Sequence, residues 1–470
     1  MRNASPPPSG ATSPAPRLLW QRISQPLLNP RVRGESAWVI LHKAAEFWVA
    51  LAGLKLFTNL MSQASFGEYQ LGLTTLALIT HLFETPISQV YLRQYHTALS
   101  QGTARSALSQ TLRWLGVTTI VVAGGCALLT KPLADAFELE TFTVLAVGLI
   151  FLTNRWRSLR VQVLDVQRKR RQCMLENLGF FALQTTLGAA ALYFIRPSAT
   201  TALLSYALAA AAFGSVALRG IRRDMTTLPA GKPAPFANLV YAYGVPLGLL
   251  TTFQWLQSSG ERYVLSSQLD YATVGRYVAA YQVCGFPFMA MNAVLTALVQ
   301  PVAFQRASDI SDARQLWSAD RLLLGGMALY LIAGALIVVG YAFCGPLLMT
   351  LLASKAYAIP AGTLTMLAAA RMLMFASLLQ HVFFKVHQQT RFLLFYSVIA
   401  GGMVLPAAWL LVGAYGMMGA AVAVLTTAVI YTLLLGFAPG GIWWLLRGVR
   451  TRAAAVPSAS TAGAGTEGCL

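Results

Sequence analysis

The chain has 470 residues, of which 56% are hydrophobic and only 11% charged, with a mean hydropathy of +0.58. Soluble chains carry about 25% charged residues, so an ordinary soluble domain is excluded. The formal net charge of +19 is spread as short basic clusters beside apolar runs, a placement that points to anionic lipid headgroups rather than nucleic acid.

In chain order, residues 1–34 are rich in Pro, Ser and Arg and contain no short apolar region ending in a small-residue cleavage site. They read as a disordered basic tail. A membrane-crossing helix needs roughly 20 mostly apolar residues. About twelve such runs follow, at 36–61, 69–92, 112–130, 141–161, 174–195, 199–219, 237–260, 271–300, 322–345, 359–384, 391–413 and 417–437. The fourth is the weakest, because Asn154, Arg155 and Arg157 follow its clean apolar stretch. The expected architecture is an all-α polytopic membrane protein with two parallel six-helix halves around a central cavity. The halves are 35–225 and 236–439, joined by a polar cytoplasmic linker at 226–235. Residues 440–470 begin with Trp443 and Trp444 beside Arg447 and Arg450, which suits an interfacial anchor. They end in a second disordered tail.

Lys and Arg concentrate in the two tails and in alternate connections. Lys131, Arg196, Arg262, Arg276 and Lys355 fall in the other connections, and Lys43, Lys55 and Arg371 lie inside apolar runs. Positive charge is retained on the cytoplasmic side during insertion. Both termini and residues 168–171 are therefore expected in the cytoplasm, and residues 131–140 outside.

The chemistry of enzymes is missing from the pattern. Cys126, Cys173, Cys284, Cys344 and Cys469 form no CxxC pair or metal spacing. There is no Walker lysine loop, and the short connections leave no room for a soluble catalytic domain. No enzyme activity, metal or cofactor is expected.

A faint internal repeat marks the two halves. Phe66-Gly67-Glu68-Tyr69 opens the second run and Val274-Gly275-Arg276-Tyr277 opens the eighth. Two parallel repeats related by an axis along the membrane normal place substrate at their interface.

These segments also carry a family likeness. Leu60-Met61-Ser62-Gln63-Ala64-Ser65-Phe66-Gly67-Glu68-Tyr69, with Gln89-Val90-Tyr91-Leu92-Arg93 after it, resembles the opening of polysaccharide exporters and flippases of the MOP superfamily. So do Glu261-Arg262-Tyr263-Val264-Leu265, Val274 through Tyr281, and Tyr415-Gly416-Met417-Met418-Gly419-Ala420-Ala421. The resemblance covers residues 36–437. It implies Wzx-type movement of a polyprenyl-diphosphate-linked oligosaccharide between the leaflets of a bacterial inner membrane, for surface polysaccharide or exopolysaccharide assembly. It implies a V-shaped bundle opening to each side in turn. The partners that go with it are the lipid-linked oligosaccharide, membrane lipids, a polysaccharide polymerase and a chain-length regulator.

Ionisable residues inside a crossing cost roughly 2.5–3.5 kcal/mol each on insertion scales, so they mark cavities or ion pairs. Arg371 is the clearest, since its planar fork suits a diphosphate; the alternative is an ion pair with Glu46 or Glu84. Lys43 and Glu46 share a helix face, and Lys55 lies nearer the outer surface, where it can snorkel. His81 and Glu84 share a face just before Pro86, which is expected to kink its helix. Glu84 is a candidate proton carrier or a counter-ion to Lys43 or Arg371. Gln254, Gln257 and Asn292 suit sugar hydroxyls or plain helix–helix hydrogen bonds. Glu261 and Arg262 suggest an ion pair between the halves that closes an outer gate. His381 and Arg93 are expected to meet lipid headgroups. The competing readings are a multidrug or cation antiporter, which needs membrane-embedded carboxylates, and an integral-membrane polymerase or ligase, which needs a large external loop.

Overall fold

The computed structural model describes residues 30–137, 139–229, 231, 236–307, 312–389, 391–439 and 441–442. Residues 1–29 of the expected N-terminal tail, half of the linker, the Trp443–Trp444 anchor and the C-terminal tail lie outside these residues, whereas residues 30–34, expected in the tail, belong to the first helix. Among the described residues all regular structure is helical.

The N-terminal half runs through α1 (Pro30–Leu60), α2 (Gln63–Ile79), α3 (Thr85–Ser100), α4 (Ala104–Leu128), the short α5 (Thr130–Phe137), α6 (Thr141–Val166), α7 (Arg170–Phe194) and α8 (Ala199–Thr227). The C-terminal half follows as α9 (Phe236–Leu239), α10 (Val245–Ser259), α11 (Glu261–Gln268), α12 (Tyr271–Arg306), α13 (Ala313–Leu352), α14 (Ala361–Val386), α15 (Arg391–Tyr415) and α16 (Met417–Phe437). Two π turns, Thr80–Glu84 and Val240–Gly244, join α2 to α3 and α9 to α10. Each is followed by a proline, Pro86 or Pro246, whose missing N–H releases a carbonyl one turn back. The expected kink before Pro86 therefore takes the form of a π turn.

Each predicted run becomes one long helical rod. By length and composition alone seven described stretches can cross a membrane, or eight if the bent pair α5–α6 counts as one. One of the seven, Arg391–Phe437, contains two helices, α15 and α16, that reverse at Gly416, whose φ is +57°. Rods such as α1 and α7 fall short because they carry the interior ions and amides described below, and α2 because the π turn cuts it to 17 residues. Large apolar side chains on the outer faces stay exposed, as at Ile120, Phe194, Phe343 and Leu410. Such a belt is stable only against lipid. The chain is a multi-pass membrane protein.

Most rods overrun their apolar windows into the basic connections. In the fourth, α6 continues to Val166, and Arg155, Arg157 and Arg160 are buried within the half rather than ending the crossing. The connections near residues 102, 168 and 388 lie at one end of the rods, beside Lys and Arg clusters, here termed the basic end. Those near residues 62, 139, 269, 355 and 416 gather at the far end.

The halves repeat in detail. Ser62 caps α2 by accepting from the Ser65 N–H, and Asp270 caps α12 by accepting from the Thr273 N–H. Each cap stands five residues before its glycine, Gly67 or Gly275. At the basic end α6 and α14 finish alike, with Arg168 (φ 58°) and Gln388 (φ 57°) in the left-handed region. The following amides, Lys169 and Gln389, return to Leu164 and Phe384, both at 2.9 Å, so each satisfies a terminal carbonyl.

Candidate functional site

The two repeat motifs meet each other. Gly67 packs on the backbone of Tyr271 and Gly275, and Gly275 packs on Gln63 and Gly67. Only glycines allow the two helices this close, so α2 and α12 cross on the axis relating the halves. Around this crossing the far end is sealed. Gln63 Nε2 donates to the Ala356 carbonyl at 2.5 Å, and the Tyr357 hydroxyl donates to the Met61 carbonyl at 3.0 Å. Lys55 Nζ donates to the Thr350 carbonyl at 2.8 Å and also to that of Ala353. These two carbonyls end α13, where a cation is favoured by the helix dipole. Deeper in, Arg262 Nη1 donates to Thr74 Oγ1 at 2.9 Å, and Tyr263 and Thr75 share a hydroxyl–hydroxyl bond of 2.8 Å.

Toward the basic end the halves touch through α3 and the start of α10. Pro86 packs on Gly244 and Gly248, and the Arg93 guanidinium lies 4.1 Å above the Tyr243 ring. Arg93 thus meets the other half rather than a headgroup.

A cavity of ≈ 280 Å³ opens between α10, α14 and α16, with His81 contributed by the N-terminal half. Arg371, Gln254, Gln257 and His381 line it, and no carboxylate does. Arg371 Nη1 donates to the Tyr281 hydroxyl at 3.0 Å, and its guanidinium stands 4.4 Å from the Tyr281 ring and 4.7 Å from that of Phe375. Its Nε has no partner among the described residues. Gly285 makes room for it, since a Cβ there would lie 2.7 Å from Nε and Nη2. The alternative ion pair with Glu46 or Glu84 does not form. His381 is buried, not at a headgroup. Its Nε2 is 2.9 Å from the Tyr431 hydroxyl, which is also 2.9 Å from Ser397 Oγ. Gln257 donates to the Thr427 carbonyl at 3.4 Å.

A second cavity, of ≈ 370 Å³, lies on the other side of α2 and α12, walled mainly by the N-terminal half. Gln70, Gln184 and Thr185 line it, with Gln282 from α12. Glu46 lines it too, but is already engaged: His42 Nε2 at 3.0 Å, Lys43 Nζ at 2.7 Å and Asn177 Nδ2 at 2.7 Å.

Several expected site residues sit elsewhere. Lys43 is exposed and reaches only Glu46. Lys55 is an inter-half cap at the far end, neither in a cavity nor snorkelling. Asn292 lines neither cavity, and its Oδ1 is buried without a partner among the described residues. Glu84 does not share a face with His81, because the wider π turn rotates less per residue than an α-helix and leaves the two side chains further apart around the axis. His81 faces the first cavity, whereas Glu84 is buried beside Arg155, Arg157 and Ser158 of α6. Its countercharges are therefore those arginines, not Lys43 or Arg371. Arg155 is fully buried, with Nη1 donating to the Leu115 carbonyl at 2.7 Å. Arg157 donates to Asn177 Oδ1 at 2.8 Å, which ties this cluster to Glu46.

The expected gate pair also differs. Glu261 and Arg262 pair within α11, 3.9 Å apart, rather than across the halves. What spans the halves is Arg262 to Thr74. Glu261 is completely buried, facing the Tyr277 hydroxyl and its neighbour Arg262. Its residue number suggested the end of a helix, but the rod continues through Gln268 and places it deep inside.

Sequence reasoning missed Tyr281, Tyr431, Gln70, Gln184 and Gln282. The three glutamines are visible as amides inside apolar runs, a signal weaker than a stranded charge.

No protein-family model matches the chain, and no curated protein matches it. Solved structures do. An inward-facing multidrug resistance MATE family transporter of the MOP superfamily is similar at 12% identity and a TM-score of 0.65, over 89% of this chain and 96% of that one. A MOP superfamily transporter from Pyrococcus furiosus Vc1, described as having a binding pocket of reverse polarity, is similar at 12% identity and a TM-score of 0.60, over 88% and 94%. The lipid II flippase MurJ in an inward closed conformation is similar at 12% identity and a TM-score of 0.60, over 86% of each chain. The chain has the fold of MOP superfamily transporters.

Proposed function

We propose that this protein is a transporter that carries an anionic, lipid-linked oligosaccharide from the inner to the outer leaflet of a bacterial inner membrane. The cargo is a polyprenyl-diphosphate-linked glycan destined for surface polysaccharide. The observation that carries the reading is Arg371: a planar cationic fork lining a cavity whose wall holds no carboxylate among the described residues. A cation exporter needs a free acid there; a diphosphate needs the fork. Tyr281 engages Nη1, and Nε is buried against Gly285 without a partner among the described residues, so the hydrogen-bonding capacity of the fork is only partly used. The likeness to the lipid II flippase MurJ supports the same direction.

The basic end is the cytoplasmic one in this reading, with both termini there. The sealed far end is then the outer gate. Cargo enters from the cytoplasmic leaflet, and breaking the contacts of Lys55, Gln63, Tyr263 and Arg262 releases it on the other side.

Deleting the gene tests this: lipid-linked repeat units should accumulate on the cytoplasmic face. Arg371→Gln should reproduce the loss of surface polymer at normal protein level. Normal polymer output in the Arg371 variant would refute the phosphate role, and accumulation of single units outside the membrane would indicate a polymerase instead.

A further inference from the structure

We propose that the second cavity is the sugar-binding subsite of the cargo, formed by Gln70, Gln184, Thr185 and Gln282. The proposal rests on the flippase reading and adds to it where the glycan is held. Its residues come from α2, α7 and α12, so both halves contribute.

Each primary amide offers two donors and an acceptor, the pairing that neighbouring sugar hydroxyls require. The amide heads of Gln70 and Gln282 are engaged by no hydrogen bond among the described residues, and neither is sealed away as a buried orphan. They open into the cavity. The Thr185 hydroxyl is likewise engaged by no hydrogen bond among the described residues. Thr58 and Thr74 return their hydroxyls to the carbonyl one turn back, at 2.8 and 2.7 Å, whereas Thr185 does not. The remaining wall includes Phe57, Phe66 and Phe181, apolar surface suited to the C–H faces of a sugar ring. A volume of ≈ 370 Å³ falls in the range of small-ligand sites.

The electrostatics select a neutral group. Glu46 is the carboxylate in the wall, and Lys43, His42 and Asn177 occupy its oxygens. An organic cation finds no free acid here, and a phosphate finds no free cation. Along α12, Tyr281 steadies Arg371 on one side while its neighbour Gln282 faces this cavity. Anion and glycan thereby occupy adjoining faces of one helix.

The test compares two probes on the full chain in nanodiscs: bare polyprenyl diphosphate, and the lipid-linked oligosaccharide pool extracted from the host deleted for this gene. The wild type should bind the glycan-bearing probe about five- to tenfold more tightly, the effect of one or two net hydrogen bonds. In Gln70→Leu and Gln282→Leu the ratio of the two affinities should fall to about one. In Arg371→Gln both affinities should fall together. A ratio retained in both glutamine variants overturns the sugar subsite while leaving the flippase reading intact. A wild type that binds neither probe overturns both. Should a leucine variant misfold, Thr185→Cys supplies the second measurement. A neutral thiol reagent should label it more slowly with the glycan-bearing probe than with the bare lipid, and equal rates overturn the assignment.

Discussion

Substituting Gly67 by alanine should force the far end of the bundle open. The added Cβ would fall onto the Tyr271 carbonyl and 2.8 Å from the Gly275 nitrogen. Both are backbone atoms of the opposite half, so no side chain can swing aside. Ordinary contact begins at 3.4 Å, which requires α2 and α12 to separate by more than about half an ångström. Overpacking of this kind costs ~1–3 kcal/mol. The cost is charged only to the state in which the two helices cross closely. It therefore shifts the equilibrium toward the open far end by about fivefold to a hundredfold, at roughly 1.4 kcal/mol per decade. The assay pairs spin labels at positions 63 and 356, which face each other across the halves in the sealed state, where the Gln63 side chain reaches the Ala356 carbonyl, and reads the distance distribution in nanodiscs. The expected result is a larger long-distance population in Gly67→Ala and in Gly275→Ala. An unchanged distribution in both, with folded protein, would refute the idea that this crossing is the seal.

Lys55→Met removes the charged donor from the end of α13 and should loosen the same seal by ~1.5–3 kcal/mol, read with the same labels. Arg155→Met leaves Glu84 buried without its neighbour and should lower stability by ~3–5 kcal/mol, measured as a reduced melting temperature in detergent. Adding Glu84→Gln should recover part of that loss; full additivity of the two would show that they do not interact. Cysteines placed in 131–137 and in 168–171 should label from opposite sides of the membrane, and labelling from the same side would overturn the proposed orientation.

The glycine–glycine seal connects these predictions to the proposed transport. Its motifs were legible as a repeat, but not as partners. Ser62 and Asp270 start their helices at the same distance before each glycine, so local capping puts both glycines one turn into their rods. That much is a matter of nearby residues. That the two then face each other follows from how the halves dock.

Membrane class and the run of helices were readable from the sequence itself, because partition into lipid is a sum over local segments that needs no knowledge of neighbours. Arg371 was readable as a cavity residue for the same reason: a charge so deep in an apolar run has few tolerable places to go. The fate of the other ions was decided by tertiary structure. Lys55 ends on carbonyls 295 and 298 residues away, Glu84 is turned toward α6 by a π turn, and Glu261 lies inside because its helix continues past the apolar window. Which partner a buried charge finds depends on helix phase and on contacts between distant segments, and neither is encoded in the residues beside it.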